Sequence, residues 1–358
     1  MPIEPTAIVV SGIGMSTPVG RHAVQACASV RAGITRFAEW PYFQVPSEDG
    51  AVGLTASFFQ PDMLLGSWCE KAYALSHQAI AEALFDARLY DLERSPLRVG
   101  FFIATPSPER PGVEDEDLES FLGDVRDGGL IAVTPAYREV IAQDHVGGTA
   151  VIAKAAQALK EQTIDIAVVG GIDSLLEDEL LEQLLAEGRL KTPGQPSGLI
   201  PGEGAAFAVL ERAGDLARRG GKARARLAAV TLGTESTPIG PEHGIHADGL
   251  TAVIRQTLAD SGDPREIRLV INDLNGERWR FLEWATVEVR CLAALPNGWR
   301  LEHPADVLGD IGAAFSPSAL CIAVRAMARG YAGGKGVLVT AASFGGGRSA
   351  FSVFAPEG

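Results

Sequence analysis

The strongest restriction on the fold of this chain is a series of short apolar runs that do not alternate. Residues 7–10 read Ala-Ile-Val-Val and end in Ser11-Gly12-Ile13-Gly14; similar runs occupy 99–104, 164–169, 205–210, 269–271 and 336–340. A strand that is apolar at every position is covered on both faces, as when helices pack on each side of a largely parallel sheet. Between these runs, apolar residues at helical spacing predict helices over 68–87, 149–159, 176–186, 250–258, 284–295 and 318–327. A layered α/β protein is therefore expected, and many of the 41 glycines fall in clusters suited to tight strand-to-helix turns.

Strands and helices alternate on both sides of a polar, basic stretch at 212–224, and a fresh strand is expected over 225–232. Two halves of similar layout, 1–212 and 213–358, suggest duplication of one βα unit. The loops around 106–117 and 238–248, rich in Pro, Gly and acids, are the expected covers of a site.

The net charge of −14 argues against a polyanionic partner, so no nucleic acid is expected. The densest basic cluster, Arg218, Arg219, Lys222, Arg224 and Arg226, reads as a solvated turn between a short helix and a strand. The four cysteines (Cys27, Cys69, Cys291, Cys321) sit in helix-like segments without CxxC spacing, which suggests neither zinc nor disulfides. Met1-Pro2-Ile3-Glu4-Pro5 lacks the basic-then-apolar pattern of a secretory signal, and no apolar run reaches membrane-spanning length. A cytoplasmic protein without membrane contact is expected. His243-Gly244-Ile245-His246-Ala247-Asp248 has H-x-x-H-x-D spacing but lies in a Pro/Gly loop, so ordinary loop residues are favoured over a metal site. The acidic run Glu114-Asp115-Glu116-Asp117, with Glu119, reads as a solvated helix start, with a basic partner protein as the sharper alternative. No cofactor is implied.

Five ordered segments resemble the ketosynthase and thiolase family. Ile8 to Gly14 followed by Thr17-Pro18-Val19-Gly20 is similar to the family's opening strand and turn. Ile166 to Gly171 resembles the strand ending in a Gly-Gly pair after the nucleophile helix, and Gly198-Leu199-Ile200-Pro201-Gly202-Glu203-Gly204-Ala205-Ala206 resembles the G-x-x-x-G-E-G-A segment. Gly309-Asp310-Ile311-Gly312-Ala313-Ala314 resembles the G-H-x-x-G-A-A turn, and Ser343-Phe344-Gly345-Gly346-Gly347 the glycine-rich loop near the carboxyl terminus. The resemblance implies a thiolase-like five-layered α-β-α-β-α fold from two duplicated halves, and a homodimer. It further implies acyl-CoA, an acyl carrier protein or another protein as partner.

Carried over residue by residue, the nucleophilic cysteine falls on His145, 171 − 145 = 26 residues before the second glycine of the pair. The first base position falls on Asn275, the second on Gly309 with Asp310 adjacent, and a lysine of decarboxylating members falls near His303-Pro304. The second thiolase cysteine falls on Ser343, and the oxyanion-hole amides on His145 and Phe344, with Gly345, Gly346 and Glu277 completing the pocket. A helix amino terminus disfavours imidazolium, so His145 is expected to be neutral and able to act as a base.

Two kinds of function follow. Without a thiol to hold an acyl group, the chain reads as a non-condensing binding, scaffold or accessory subunit in which His145 fills the cysteine's place, or as a sensor of an acyl ligand. The rival is an acyl hydrolase or acyltransferase using Ser343 as nucleophile, His145 as base and Asp310 as its partner. A third reading, a true ketosynthase, requires one of the four cysteines at the base of the pocket beneath Phe344. The L-N-G-E stretch at 274–277 and the G-D-x-G-A-A turn are also similar to ketosynthase-like proteins among bacterial type VI secretion accessory proteins.

Overall fold

The unalternating runs become the centre of a ten-stranded sheet whose order is β10-β9-β11-β12-β8-β1-β7-β6-β4-β5. Its first half comprises β1 (Ile8–Ser16), β4 (Val99–Thr105), β5 (Tyr137–Ala142), β6 (Ile166–Ser174) and β7 (Glu203–Arg212). The second half comprises β8 (Ala225–Thr234), β9 (Ile267–Asn272), β10 (Arg300–Glu302), β11 (Gly336–Ala342) and β12 (Gly347–Phe354). The computed structural model describes residues 3–48, 50–59, 68–92, 95–113, 120–121, 123, 135–237 and 244–356.

The halves share one topology. β4 pairs in parallel with β5 and β6, and β7 runs antiparallel to both β6 and β1. Likewise β9 pairs in parallel with β10 and β11, and β12 runs antiparallel to both β11 and β8. The halves meet where β1 and β8 pair over Val9–Arg226 and Val10–Ala225.

Helices complete the layers. α1 (Ala23–Ala32) packs beside β1, and α2 (Trp68–Asp86) covers the outer face of β1, β6 and β7. α3 (Asp144–Lys160) contacts β4 and β6 on one side and β8 and β12 on the other. α4 (Asp178–Ala186) packs against β2 (Phe37–Ser47) and α5 (Ala213–Arg218) against β7, while α6 (Asp248–Asp260) packs on β8 and β12 with α7 (Arg278–Cys291) against it. After the short α8 (Ala305–Leu308), α9 (Phe315–Ala328) joins α3 between the half-sheets, touching β7 and β11. The expected α-β-α-β-α order results. α9 is buried along most of its length because apolar neighbours cover it on both sides.

Several boundaries differ from the sequence expectation, each for a packing reason. β1 does not stop at its glycines but runs on to Ser16. A Cβ at Gly12 would lie 2.1 Å from the Ala83 carbonyl oxygen, and one at Gly14 2.0 Å from that of Ala79. These glycines let α2 lie against the strand; they do not turn it. Gly12→Ala is therefore expected to cost about 1–3 kcal/mol through forced displacement of α2, measured by urea unfolding. Similarly, β6 continues through Gly170-Gly171, where a Cβ on Gly171 would meet the Ala313 carbonyl oxygen at 2.4 Å. α3 begins at Asp144, before the expected start, because Gly147 and Gly148 are inside it; a Cβ at Gly148 would reach Pro317 Cδ at 2.5 Å. The two-stranded sheet of β2 (Phe37–Ser47) and β3 (Gly50–Ser57) was not legible, since β2 contains Pro41 and Pro46 and is largely exposed.

The basic cluster is not simply solvated. Arg219 makes a bidentate ion pair with the buried Glu211 (2.7 and 2.5 Å), Arg224 pairs with Asp86, and Arg226 lies over the Phe354 ring. Among the described residues no helix is long and apolar enough to cross a membrane.

Candidate functional site

β5 ends at Ala142, and the chain turns sharply into α3 with Asp144 in the left-handed region at φ 49°. This places His145 in the first helical turn with its side chain 12% exposed. Its Nε2 lies 2.8 Å from Asp310 Oδ1. Asp310 follows Gly309, which has φ 72° and whose Cβ would lie 2.9 Å from the Ile200 carbonyl oxygen, so glycine is required there. The Asp310 amide donates to Ile200 (2.7 Å) and its carbonyl accepts from Gly202 (2.8 Å). The G-x-x-x-G-E-G-A segment thus holds the Asp310 backbone. The expectation that Gly309 takes the second base position is corrected: the side chain facing His145 is that of Asp310.

A continuous network extends from this pair. Asn275 Nδ2 donates to Asp310 Oδ2 (2.6 Å) and Glu277 Oε2 (3.0 Å), and its Oδ1 accepts from the Glu277 amide (3.0 Å). Glu277 Oε1 accepts from Arg189 Nε (2.6 Å), and Oε2 from Arg280 Nε (3.2 Å). Arg280 also pairs with Asp273 and donates to the Ala342 carbonyl (2.6 Å). Its Nη2 stands 3.4 Å from His145 Nε2. An unprotonated Nε2 would set its lone pair against the Asp310 carboxylate, so the proton belongs on Nε2.

Burial alone would lower the His145 pKa, but the adjacent Asp310 carboxylate outweighs it, and the pKa is raised. Burial would conversely raise Asp310; the His145 charge and hydrogen bond, with Arg280, hold it far below the usual carboxylate range. Glu277 is lowered despite burial by Arg280 and Arg189. The Asp310 carboxylate, within hydrogen-bond distance, thus acts on His145 against the helix-end effect from which a neutral ring was expected.

The sign of the pH dependence follows. The raised His145 pKa contributes stability that is complete below its unfolded value near ~6.5 and lost as pH rises through the higher folded value. The depressed Asp310 pKa contributes stability present above ~3.9 and lost as pH falls toward its folded value. The pair is expected to be fully stabilising between about pH 4 and about pH 6.5, and to weaken as pH rises further. Nitrogen-15 shifts of the His145 ring should show both nitrogens protonated at pH 6.5; a neutral ring there would refute the assignment.

Ser343 is placed differently from what a triad requires. Its hydroxyl donates to the Gln143 carbonyl (3.0 Å) and accepts from the Val146 amide (3.3 Å). The proton a base would remove is thus directed to the strand-to-helix turn. Phe344 is 44% exposed in the β11–β12 turn, where Gly346 has φ 99°. The Arg189 guanidinium stacks 4.0 Å from its ring centroid, and Trp279 meets it edge-on at 6.2 Å. Phe344 and Arg189 line both an outer groove of about 1050 Å3 and an inner cavity of about 220 Å3. His145, Asp310, Arg280 and Gly345 line the inner cavity; Glu277 and Trp279 line the outer groove. The residues assigned to the oxyanion hole, His145 and Phe344, therefore share one wall system.

None of the four cysteines lines either space. All are buried, and burial pushes Cys27 up to about 12 and Cys291 up to about 11. The reading that required a cysteine beneath Phe344 is not supported. His303 pairs with Asp306 (2.7 Å) and lines neither space. Of the H-x-x-H-x-D trio, Asp248 pairs with Arg290, His243 lies outside the described residues, and no metal-ligand cluster occurs among those described. The acidic run at 114–119 also lies outside them.

Arg280, Arg189, Asp273 and Trp279 were missed at the sequence level. One signal existed: Arg278 and Arg280 stand in the first turn of α7, where positive charge opposes the helix dipole. A cation there needs tertiary partners, and Glu277 three residues before Arg280 is one of them.

Comparison with known proteins sharpens this picture. The family model of the beta-ketoacyl synthase N-terminal domain matches residues 147–215, beginning two residues after His145. No curated protein sequence matches. A chain of the AntDE:AntF structure, a type II PKS acyl-carrier protein in complex with its ketosynthase bound to the hexaketide, superposes with TM-score 0.79. That match has 16% identity and covers 99% of this chain and 100% of that one. This is a ketosynthase fold.

The ketosynthase-like chain also resembles the ishigamide ketosynthase/chain length factor (TM-score 0.76, 17% identity, 98% and 99% of the two chains covered). The ketosynthase from module 6 of the bacillaene synthase from Bacillus subtilis 168 matches with TM-score 0.74 at 15% identity, over 98% of this chain and 72% of that one.

Proposed function

We propose that this ketosynthase-like protein does not condense acyl groups and acts as a binding or accessory subunit of an acyl-transfer system. The observation that carries this reading is the His145–Asp310 ion pair at the head of α3, where the resemblance places the nucleophile. Asp310 favours the imidazolium form of His145, which has no lone pair with which to attack a thioester. The second base position carries a carboxylate and the first an amide already committed to two carboxylates. Every group that would handle an enolate is spent on its neighbours.

The likeness to a ketosynthase/chain length factor and to a ketosynthase in complex with an acyl carrier protein supports a protein or carrier partner. The strand β5 ends the sheet among the described residues, and its edge offers a second copy a place to extend it as a homodimer. The 274–277 stretch and the 309–314 turn, similar to those of type VI secretion accessory proteins, are the segments that build the network; this supports an accessory role of that kind. The hydrolase reading is less favoured, because the Ser343 proton is directed to Gln143 and not to His145.

The test is a condensation assay with acyl-CoA and acyl carrier protein thioesters on the wild type and on His145→Cys. Neither is expected to form a carbon–carbon bond. The new thiol in His145→Cys should react only slowly with iodoacetamide and should not condense, since Asp310 opposes both thiolate and enolate. Condensation by the wild type would sink the proposal.

A further inference from the structure

A third cavity, of about 370 Å3, shares no lining residue with the two around Phe344. Ala87, Met327, Ala328, Ala355 and Pro356 form its apolar walls. Among the described residues its charged lining is Asp86, Arg88, Lys222 and Arg224, three cations against one carboxylate, a surplus of two. That surplus stands in a chain of net charge −14.

The carboxylate is already committed. Asp86 Oδ2 accepts from the Ile13 amide (3.1 Å) and Oδ1 from Arg224. Arg325 of α9 adds a further positive field at Asp86. Ser11, also on the lining, donates to Glu211 (2.5 Å), whose charge Arg219 balances. Arg88 and Lys222 are exposed and enter none of the ion pairs among the described residues.

Arg88 also has an uncommon backbone conformation. It sits at φ 59° just past the end of α2, where its amide donates to Phe85 and the Leu89 amide to Leu84. This is the left-handed helix-ending position that glycine normally fills. A glycine would be less strained there, as it would at Gln162, which follows α3 with the same φ of 59°.

We propose that this cavity binds a small phosphate monoester. The dianion matches the surplus of two charges and bridges Arg88, Lys222 and the free N–H groups of Arg224. The organic group packs against Met327 and the alanines. Isothermal titration of the full chain with inorganic phosphate and with phenyl phosphate, at constant ionic strength set by chloride, tests it. Saturable binding is expected, with phenyl phosphate about tenfold tighter than inorganic phosphate because the ring buries apolar surface. Lys222→Ala and Arg88→Gly should each weaken phenyl phosphate about tenfold. Arg88→Gly should also melt no lower than the wild type without ligand, because glycine relieves the strain. Absence of saturable binding, or wild-type affinity in both variants, would overturn the proposal. A lower melting temperature of ligand-free Arg88→Gly would overturn the assignment of Arg88.

Discussion

Asp310→Ala is expected to lose about 3–5 kcal/mol of stability in urea unfolding. The carboxylate accepts from His145, from Asn275 Nδ2 and from the Gly312 amide (2.9 Å), so its removal strands three donors in a site where water has little access. His145→Ala should cost less, about 1–3 kcal/mol, because Asp310 keeps Asn275, Gly312 and the field of Arg280. The asymmetry is itself informative. A plug held only by shape would make the larger loss follow the imidazole, whereas a charge network makes it follow the carboxylate. A loss below ~1 kcal/mol for Asp310→Ala would mean that the pair carries no such weight.

Arg280→Ala is expected to be comparably severe, about 3–5 kcal/mol. The residue is 3% exposed, and its guanidinium pairs with Asp273 and Glu277 while facing His145. Without it, Asp273, Glu277 and Asp310 crowd around two remaining cations, His145 and Arg189. A second readout separates this from general damage. Arg280 lowers the His145 pKa, so in Arg280→Ala the imidazole should titrate still higher than in the wild type. An unchanged His145 titration in a folded variant would show that the two do not interact. Because Arg280, Asp310 and His145 share partners, their substitutions should not be additive.

What the sequence revealed depended on the kind of signal. Unalternating runs located the buried strands, and the helical spacing located the layers, because burial on both faces leaves a direct imprint on residue choice. The glycines were harder. At Gly12 and Gly171 they mark close approach of a helix or turn, not the end of a strand, and only the packed structure distinguishes the two uses. In the site, the motifs brought His145, Asp310, Asn275 and Glu277 forward by position, and the structure joins all four in one network. The charge state of His145 could not be read from the chain. It depends on Asp310, 165 residues away in sequence, whereas the helix end that suggested neutrality is local. Arg189 was missed for the same reason, its partner Glu277 being 88 residues away; Arg280 was missed although Glu277 and Asp273 lie close to it in sequence, because its approach to His145, 135 residues away, shows only in the fold. Ser343 had the right position for a nucleophile but the wrong hydrogen-bond partner, which position alone does not show.

The central claim is that no residue of the site forms a covalent acyl intermediate. Intact-protein mass spectrometry after incubation with acyl-CoA and with acyl carrier protein thioesters measures this most directly. The unmodified mass is expected in both cases, together with an unchanged thioester pool. An acyl adduct on the wild-type chain that disappears in His145→Ala would contradict the account.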